Sequence, residues 1–182
     1  MKSLVVVAHP SLGEKSVANR VVVERVRSIA GVTVKDLHRE SPRFAFDVAA
    51  EQRALLDADA VVFQFPFYWY AVPGILKEWM DQVLTYGFAY GSTGDKLKGK
   101  RFVASVTVGG PADSYREGGY NHFTIEQLLL PLRAMTNLTG MRHDPPIVSH
   151  GMIWIPGVYN TREEVEARAR EHGERLAAYL AG

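Results

Sequence analysis

The sequence predicts an α/β protein, a doubly wound parallel sheet with helices on both faces. Two observations carry this. Apolar runs such as Ser3–Ala8 (SLVVVA) and Ala60–Phe65 (AVVFQF) lack the in–out alternation of a half-exposed strand, as suits strands buried on both faces. These runs also alternate along the chain with longer segments of helical apolar spacing. Strand–helix–strand order implies right-handed crossovers that place helices over the sheet.

The elements follow in order. His9 and Pro10 close the first strand, the loop SLGEKS comes next, and a helix is expected from Ser16 to Ala30 with Gly31 as its C-cap. Val32–Leu37 is the second strand. After a polar stretch with Pro42, FAFDVAAEQRALLDA makes a loop and a helix. The third strand, Ala60–Phe65, is ended by Pro66. Pro73 stands where a helix can start, because its missing N–H is not needed there. Ile75, Leu76, Trp79, Met80, Val83 and Leu84 then recur at helical spacing, and Gly87 is expected to stop this helix. Phe88–Gly99 reads as an exposed loop. Arg101–Val108 is the fourth strand, ended by Gly109, Gly110 and Pro111. Phe123–Leu138 reads as a helix that Pro131 kinks or breaks. Ile147–Ser149 with its flanks is a weak fifth strand. Arg162–Leu180 is a charged terminal helix whose apolar positions Val165, Ala169, Leu176 and Leu180 form one buried stripe. Residues 1–182 are read as a single domain, with no repeat, low-complexity segment or linker.

Composition narrows the function. A hydrophobic content of 47% and a charged content of 23% are those of an ordinary soluble globule. A net charge of +1 and the lack of a basic stripe argue against a nucleic-acid partner. The densest basic cluster, Lys96, Lys98, Lys100 and Arg101, reads as a solvated turn before a strand. With no cysteine, disulfides and thiol chemistry are excluded. The apolar run Leu4–Ala8 is too short for a signal peptide, and nothing approaches the ~20 apolar residues of a membrane span, so a cytoplasmic location is expected.

Chemistry is expected where the loops after strands one, three and four share one carboxyl edge. The first loop combines His9, Lys15, Ser16 and Asn19 with a helix start, which favours an anion; Ser16 can equally serve as the helix cap. In the second loop Phe67, Tyr68, Trp69 and Tyr70 are consecutive. Four rings in a row cannot all enter one core, because successive side chains in an extended segment face opposite ways. Some should line a cleft or a subunit contact. The third loop has Thr107, Gly109 and Gly110, which let backbone approach a ligand, and Tyr115 and Tyr120, which can add hydroxyl donors. No phosphate loop, dinucleotide fingerprint, serine-hydrolase elbow or histidine metal pair is present, so no metal site is expected. Hard chemistry would then belong to an organic cofactor, and an anion site, a ring of aromatics and a glycine loop suit flavin mononucleotide (FMN).

At these residues the sequence resembles the flavodoxin-like NAD(P)H:quinone oxidoreductases. The carrying motifs are Ala8–Pro10 (AHP), Ser16–Asn19 (SVAN), Gln64–Trp79 (QFPFYWYAVPGILKEW), Gly87–Gly91 (GFAYG) and Thr107–Gly110 (TVGG). The match spans nearly the whole chain. It is similar above all to small bacterial members that act as ancillary subunits of glutathione-gated potassium-efflux systems. The resemblance implies a five-stranded parallel sheet in the order 2-1-3-4-5 and a homodimer. It further implies that His9 and Ser16, Val17, Ala18 and Asn19 hold the phosphate and ribityl chain of noncovalent FMN. Phe67, Tyr68, Trp69 and Tyr70 would lie against the ring system and offer it backbone N–H groups, and Thr107, Val108, Gly109 and Gly110 would wrap the pyrimidine side. Tyr115 matches a tyrosine that works with a histidine on reduced flavin. By ungapped counting that histidine's place is Asn121, with His122 beside it, a departure from the family pattern. Tyr90 would close the partner's substrate pocket, with Tyr120 as a further substrate contact. The implied reaction passes hydride from NAD(P)H through flavin N5 to a quinone in a ping-pong cycle. A flavin-binding regulatory subunit of a potassium-efflux antiporter, peripheral to the inner face of the membrane, is the alternative reading. A flavodoxin-type electron carrier fits less well, because such carriers dock through a strongly charged face.

Overall fold

The computed structural model describes residues 1–182. β1 (Ser3–Val7) is central, pairing in parallel with β2 (Val32–Asp36) on one side and β3 (Ala60–Pro66) on the other, and β3 pairs in parallel with β4 (Arg101–Thr107). The fifth place in the sheet is shared. β5 (Arg142–His143) and β6 (Ile147–Ser149) both pair in parallel with β4, and Pro145 and Pro146 lie between them. Proline donates no ladder hydrogen bond, which accounts for the interruption at this edge. The order β2-β1-β3-β4-β5 is the expected 2-1-3-4-5.

Helices cover both faces. α1 (Ala18–Arg27) and α7 (Arg162–Ala181) bury an apolar layer with Val5, Val7, Val62 and Val103. On the other face α3 (Val48–Asp57), α4 (Gly74–Val83), α5 (Ile125–Leu128) and α6 (Leu130–Thr139) pack with Leu4, Val6, Phe63, Phe65 and Phe102. Strand parity assigns these two sets to opposite sides. α2 (Leu37–Glu40), a single turn, was not expected; Asp36 caps it by accepting the Arg39 N–H. Glu51 is buried but paired, accepting from Trp79 Nε1 at 2.9 Å and lying 2.7 Å from Lys35 Nζ, as a buried carboxylate requires.

Several boundaries differ from the sequence reading. α1 begins at Ala18, because Ser16 Oγ accepts the Asn19 N–H (3.1 Å) and holds the preceding residues outside the helix. Its C-cap is Ser28; Gly31, with φ +81°, serves the turn into β2 instead. α4 stops at Val83 with Leu84 as cap, so Gly87 is not its terminator; Gly87 has φ +80° and donates its N–H to Tyr90 O in the following loop. That loop is not simply exposed, since Ala89 and Leu97 are fully buried. β1, β2 and β4 each end one residue early, and β3 includes Pro66. The expected break near Pro131 occurs: α5 and α6 meet at Leu129, and Pro131 falls in the first turn of α6, where its lack of an N–H costs nothing. The stripe Val165, Ala169, Leu176 and Leu180 is buried as expected, and His172 and Gly173 join it.

Candidate active site

The carboxyl ends of β1, β3 and β4 open into a cleft of about 500 Å³, within the range of small-molecule sites. It is lined by His9–Ser11, Lys15–Asn19, Pro66–Tyr68, Thr107, Gly109 and a segment not anticipated from sequence, Met152–Trp154. A second, more polar hollow shares the His9–Ser11 wall and runs on to Arg20, Arg27, Asp36 and His38.

The first loop is built for an anion. The N–H groups of Val17 and Ala18 donate to no backbone carbonyl, as expected of a first helical turn. His9 Nδ1 accepts the Ser11 N–H at 3.1 Å, so the ring proton is on Nε2. Burial, and then the nearby His38, push the His9 pKa down to about 4, against a smaller opposing effect of Asp36. His9 is therefore a neutral donor at pH 7, and Lys15 supplies the charge at the rim.

The aromatic loop is a tight turn. Trp69 and Tyr70 both have left-handed φ, +48° and +63°, and Ala71 N–H closes onto Tyr68 O at 3.1 Å. Two consecutive positive φ values define a type I′ turn, which glycine and asparagine favour. Bulky residues held there cost on the order of 1–3 kcal/mol each. The Trp69 and Tyr70 N–H groups at the tip have no backbone acceptor, while the Phe67 N–H is tied to Thr107 O at 2.9 Å. Phe67 is buried, Tyr68 and Tyr70 are about half exposed, and Trp69 is 92% exposed. The rings thus divide between core and surface, as argued from their spacing.

The third loop is braced by the chain after β6. Val108 N–H donates to Ser149 O, Gly151 N–H to Gly110 O, and Met152 N–H to Val108 O. Gly110 has another use than close approach to a ligand: a Cβ there would stand 3.3 Å from the Tyr115 ring. Tyr115 packs against Phe67 at 6.2 Å and against His150 at 5.4 Å between ring centroids. Burial, and next Tyr70, raise the Tyr115 pKa, keeping the phenol protonated. Burial lowers that of His150.

Some expected site residues are engaged within the protein or stand outside the cleft. Asn19 is 3% exposed, and both ends of its amide are engaged inside the protein: Nδ2 donates to Thr107 Oγ1 (2.9 Å) and Oδ1 accepts from Gln64 Nε2 (2.8 Å). The polar group it faces is protein. Asn121 accepts from Tyr70 Oη at 2.9 Å, tying the aromatic turn to the loop before α5. The histidine beside Tyr115 is His150, while His122 is exposed. Tyr120 is on the surface at 87% exposure. Tyr90 lies outside the cleft of its own chain, partly buried against the core and edge-on to Tyr86. Of the aromatics Tyr86, Phe88 and Tyr90 at this loop, only Tyr86 is largely exposed. His150 and Met152–Trp154 carried no motif, and only the weak strand before them hinted at their place.

Residues 1–179 match the family model described as flavodoxin-like fold. General stress protein 14 of Bacillus subtilis (strain 168) is 43% identical over 99% of this chain and 97% of its own. The uncharacterized NAD(P)H oxidoreductase YrkL of the same organism is 41% identical over 99% and 98%. The glutathione-regulated potassium-efflux system ancillary protein KefG of Cronobacter sakazakii is 36% identical over 99% and 92%. Among solved structures, general stress protein 14 of Treponema denticola in complex with FMN has a TM-score of 0.87 at 35% identity, covering 98% of this chain and 99% of that one. An NADPH-quinone reductase from P. pentosaceus has a TM-score of 0.81 at 29% identity, covering 96% and 97%.

Proposed function

The chain belongs to the flavodoxin-like fold family, and on that premise we propose that it is an FMN-dependent NAD(P)H oxidoreductase with a quinone as acceptor. One observation carries the reading. The cleft brings unpaired N–H groups at the start of α1, beside Lys15 and neutral His9, together with Phe67 and Tyr68, and the free N–H groups of Trp69 and Tyr70 follow on the chain directly after this aromatic wall. That arrangement fits a ligand with an anionic tail and a flat, hydrogen-bonding ring. FMN bound in a relative of the same length, and the oxidoreductase and quinone-reductase names of other relatives, support it.

In this reading Val17 and Ala18 N–H, Ser16, Lys15 and His9 hold the phosphate. Trp69 and Tyr70 offer their N–H groups to the ring edge, and Gly109 and Thr107 close its other side. Bound FMN would supply two-electron hydride chemistry between NAD(P)H and quinone. Tyr115, kept neutral by burial, donates a hydrogen bond where negative charge grows. Nicotinamide and quinone use one place in turn, a ping-pong order. Tyr120 and the partner's Tyr90 border that place in a homodimer. Denaturing the purified protein and identifying the released flavin tests the cofactor. Stoichiometric FAD, or no uptake of excess FMN, would defeat the reading; NAD(P)H oxidation that requires added quinone would support the acceptor.

A second reading rests on the KefG and KefF relatives. Here the protein binds a potassium-efflux antiporter at the inner membrane face, and its redox turnover is incidental. No helix is long and apolar enough to cross a membrane, so attachment would run through the partner. Co-purification with an antiporter whose efflux depends on this protein separates this reading from an independent enzyme.

A further inference from the structure

A file of polar side chains crosses the otherwise apolar layer beneath α1 and α7. Arg175 Nη2 donates to Ser149 Oγ at 2.6 Å, and Ser149 Oγ lies 2.9 Å from His172 Nδ1. His172 Nε2 lies 2.8 Å from Ser105 Oγ, which donates to Gln64 Oε1 at 2.6 Å. Gln64 Nε2 donates to Asn19 Oδ1 at 2.8 Å, and Asn19 Nδ2 to Thr107 Oγ1 at 2.9 Å. Gln64, Ser105 and His172 have no exposed surface. The file therefore runs from the outer edge of α7, through β6, β4, β3 and α1, to the wall of the cleft.

Its direction is fixed at one end. A guanidinium only donates, so Ser149 accepts from Arg175. If Ser149 then gives its own hydrogen to His172 Nδ1, the ring proton sits on Nε2 and goes to Ser105. Each later group accepts from one neighbour and donates to the next. The reverse direction would leave the Ser149 hydroxyl hydrogen with no acceptor. In the forward direction the hydroxyl hydrogen at the end of the file is that of Thr107 Oγ1, in the cleft wall, where the protein offers it no acceptor.

We infer that His172 is a positioning residue, which sets the direction of this chain so that the Thr107 hydroxyl hydrogen is left free for a bound ligand. The inference rests on the flavin reading of the cleft. A free hydroxyl hydrogen without an acceptor in the protein selects an acceptor atom on the ligand and favours the redox form in which that atom gains negative charge. Alternation along a hydrogen-bonded file strengthens each member. Burial, and then Arg175, push the His172 pKa down to about 3, so the ring stays neutral across the physiological range.

Two measurements decide it. In flavin-free protein carrying 15N-histidine, the His172 resonances should report a neutral ring with its proton on Nε2. A proton on Nδ1 overturns the inference without a variant and without flavin. In FMN-loaded protein, Ser105→Ala cuts the file away from the ligand. It should lower the preference for reduced over oxidised FMN about tenfold, which is about 30 mV in a two-electron midpoint potential. Thr107→Val should give the same shift. Ser105→Ala added to Thr107→Val should then give none further, because the first acts only through the second. Ser105→Ala with an unchanged potential, or additive shifts in the double variant, overturns it. A wild-type protein that takes up no FMN defeats the flavin reading itself, whatever the His172 tautomer.

Discussion

Asn19 shows how a residue can be found correctly for an incomplete reason. Its polarity one turn into an amphipathic helix was legible, and so was the edge on which it sits. What it faces was not, because Gln64 and Thr107 come from strands 45 and 88 positions away. Gln64 did carry a signal, as an amide in the middle of an apolar strand, and so did His172, on the apolar stripe of a charged helix. Neither says which partner it meets. The substitution Asn19→Leu should therefore act before any ligand is added. It strands the Gln64 amide, a buried donor, at about 1–3 kcal/mol, and also removes the donor to Thr107. Urea unfolding of the flavin-free protein should show that loss, and an unchanged midpoint would return Asn19 to the role of a direct ligand contact. Tyr115→Phe should behave differently. The hydroxyl makes no hydrogen bond within the chain, so stability should hold. Stopped-flow reduction by NAD(P)H should slow more than FMN affinity falls, because the donor acts on charge that develops during transfer. An unchanged rate would remove Tyr115 from the reaction.

Among the elements, strands were read to within a residue because apolar runs bounded by proline and glycine are local signals. Helix ends were read less well. Gly31 and Gly87 do adopt positive φ, yet in turns beyond the helix ends they were expected to cap; a glycine reports a left-handed position and not which turn uses it. The split fifth strand escaped for a similar reason, since Arg142–His143 has no strand pattern and pairs only because β4 offers a free edge. The aromatic turn was legible as a loop, though not as a strained one. Its strain is testable at Trp69, whose 92% exposure means that little packing is lost on substitution. Trp69→Gly relieves a left-handed bulky residue, a gain of roughly 1–2 kcal/mol, offset by about 0.5–1 kcal/mol of added chain entropy. The flavin-free protein should come out equal in stability or up to about 1.5 kcal/mol more stable. A clear loss in thermal unfolding would mean that the indole is packed in solution.

At the scale of the whole molecule, two buried histidines couple stability to pH. His9 and His172 have folded pKa values of about 4 and about 3, both below the ~6.5 of an unfolded chain. The unfolded state thus binds more protons between those values. The stability they support is full above pH ~6.5 and is lost as pH falls toward 4 and 3. Near pH 5.5 the slope should approach two protons, about 2.7 kcal/mol per pH unit, in urea titrations of the flavin-free protein. His172→Gln, which does not titrate, should remove about half of it. A flat profile from pH 7 to 5 would show both rings to be solvated. The surface makes a separate demand. Trp69, Tyr120 and Tyr86 are 92%, 87% and 66% exposed, and Phe123 lies on the chain just after the Tyr70–Asn121 hydrogen bond that ties two of these loops together. Burying such side chains is worth roughly 1.5–3 kcal/mol each, and a twofold contact uses every one of them twice. Trp69 follows the cleft-lining Tyr68, so a second copy seated on it would also shape the place proposed for nicotinamide and quinone. Sedimentation should show a dimer at micromolar concentration. Tyr120→Ser with Phe123→Ser should weaken it at least tenfold, about 1.4 kcal/mol, and raise KM for quinone while FMN stays bound, since neither residue lines the cleft. A monomer that turns over quinone at the full rate would show that one chain completes the site alone.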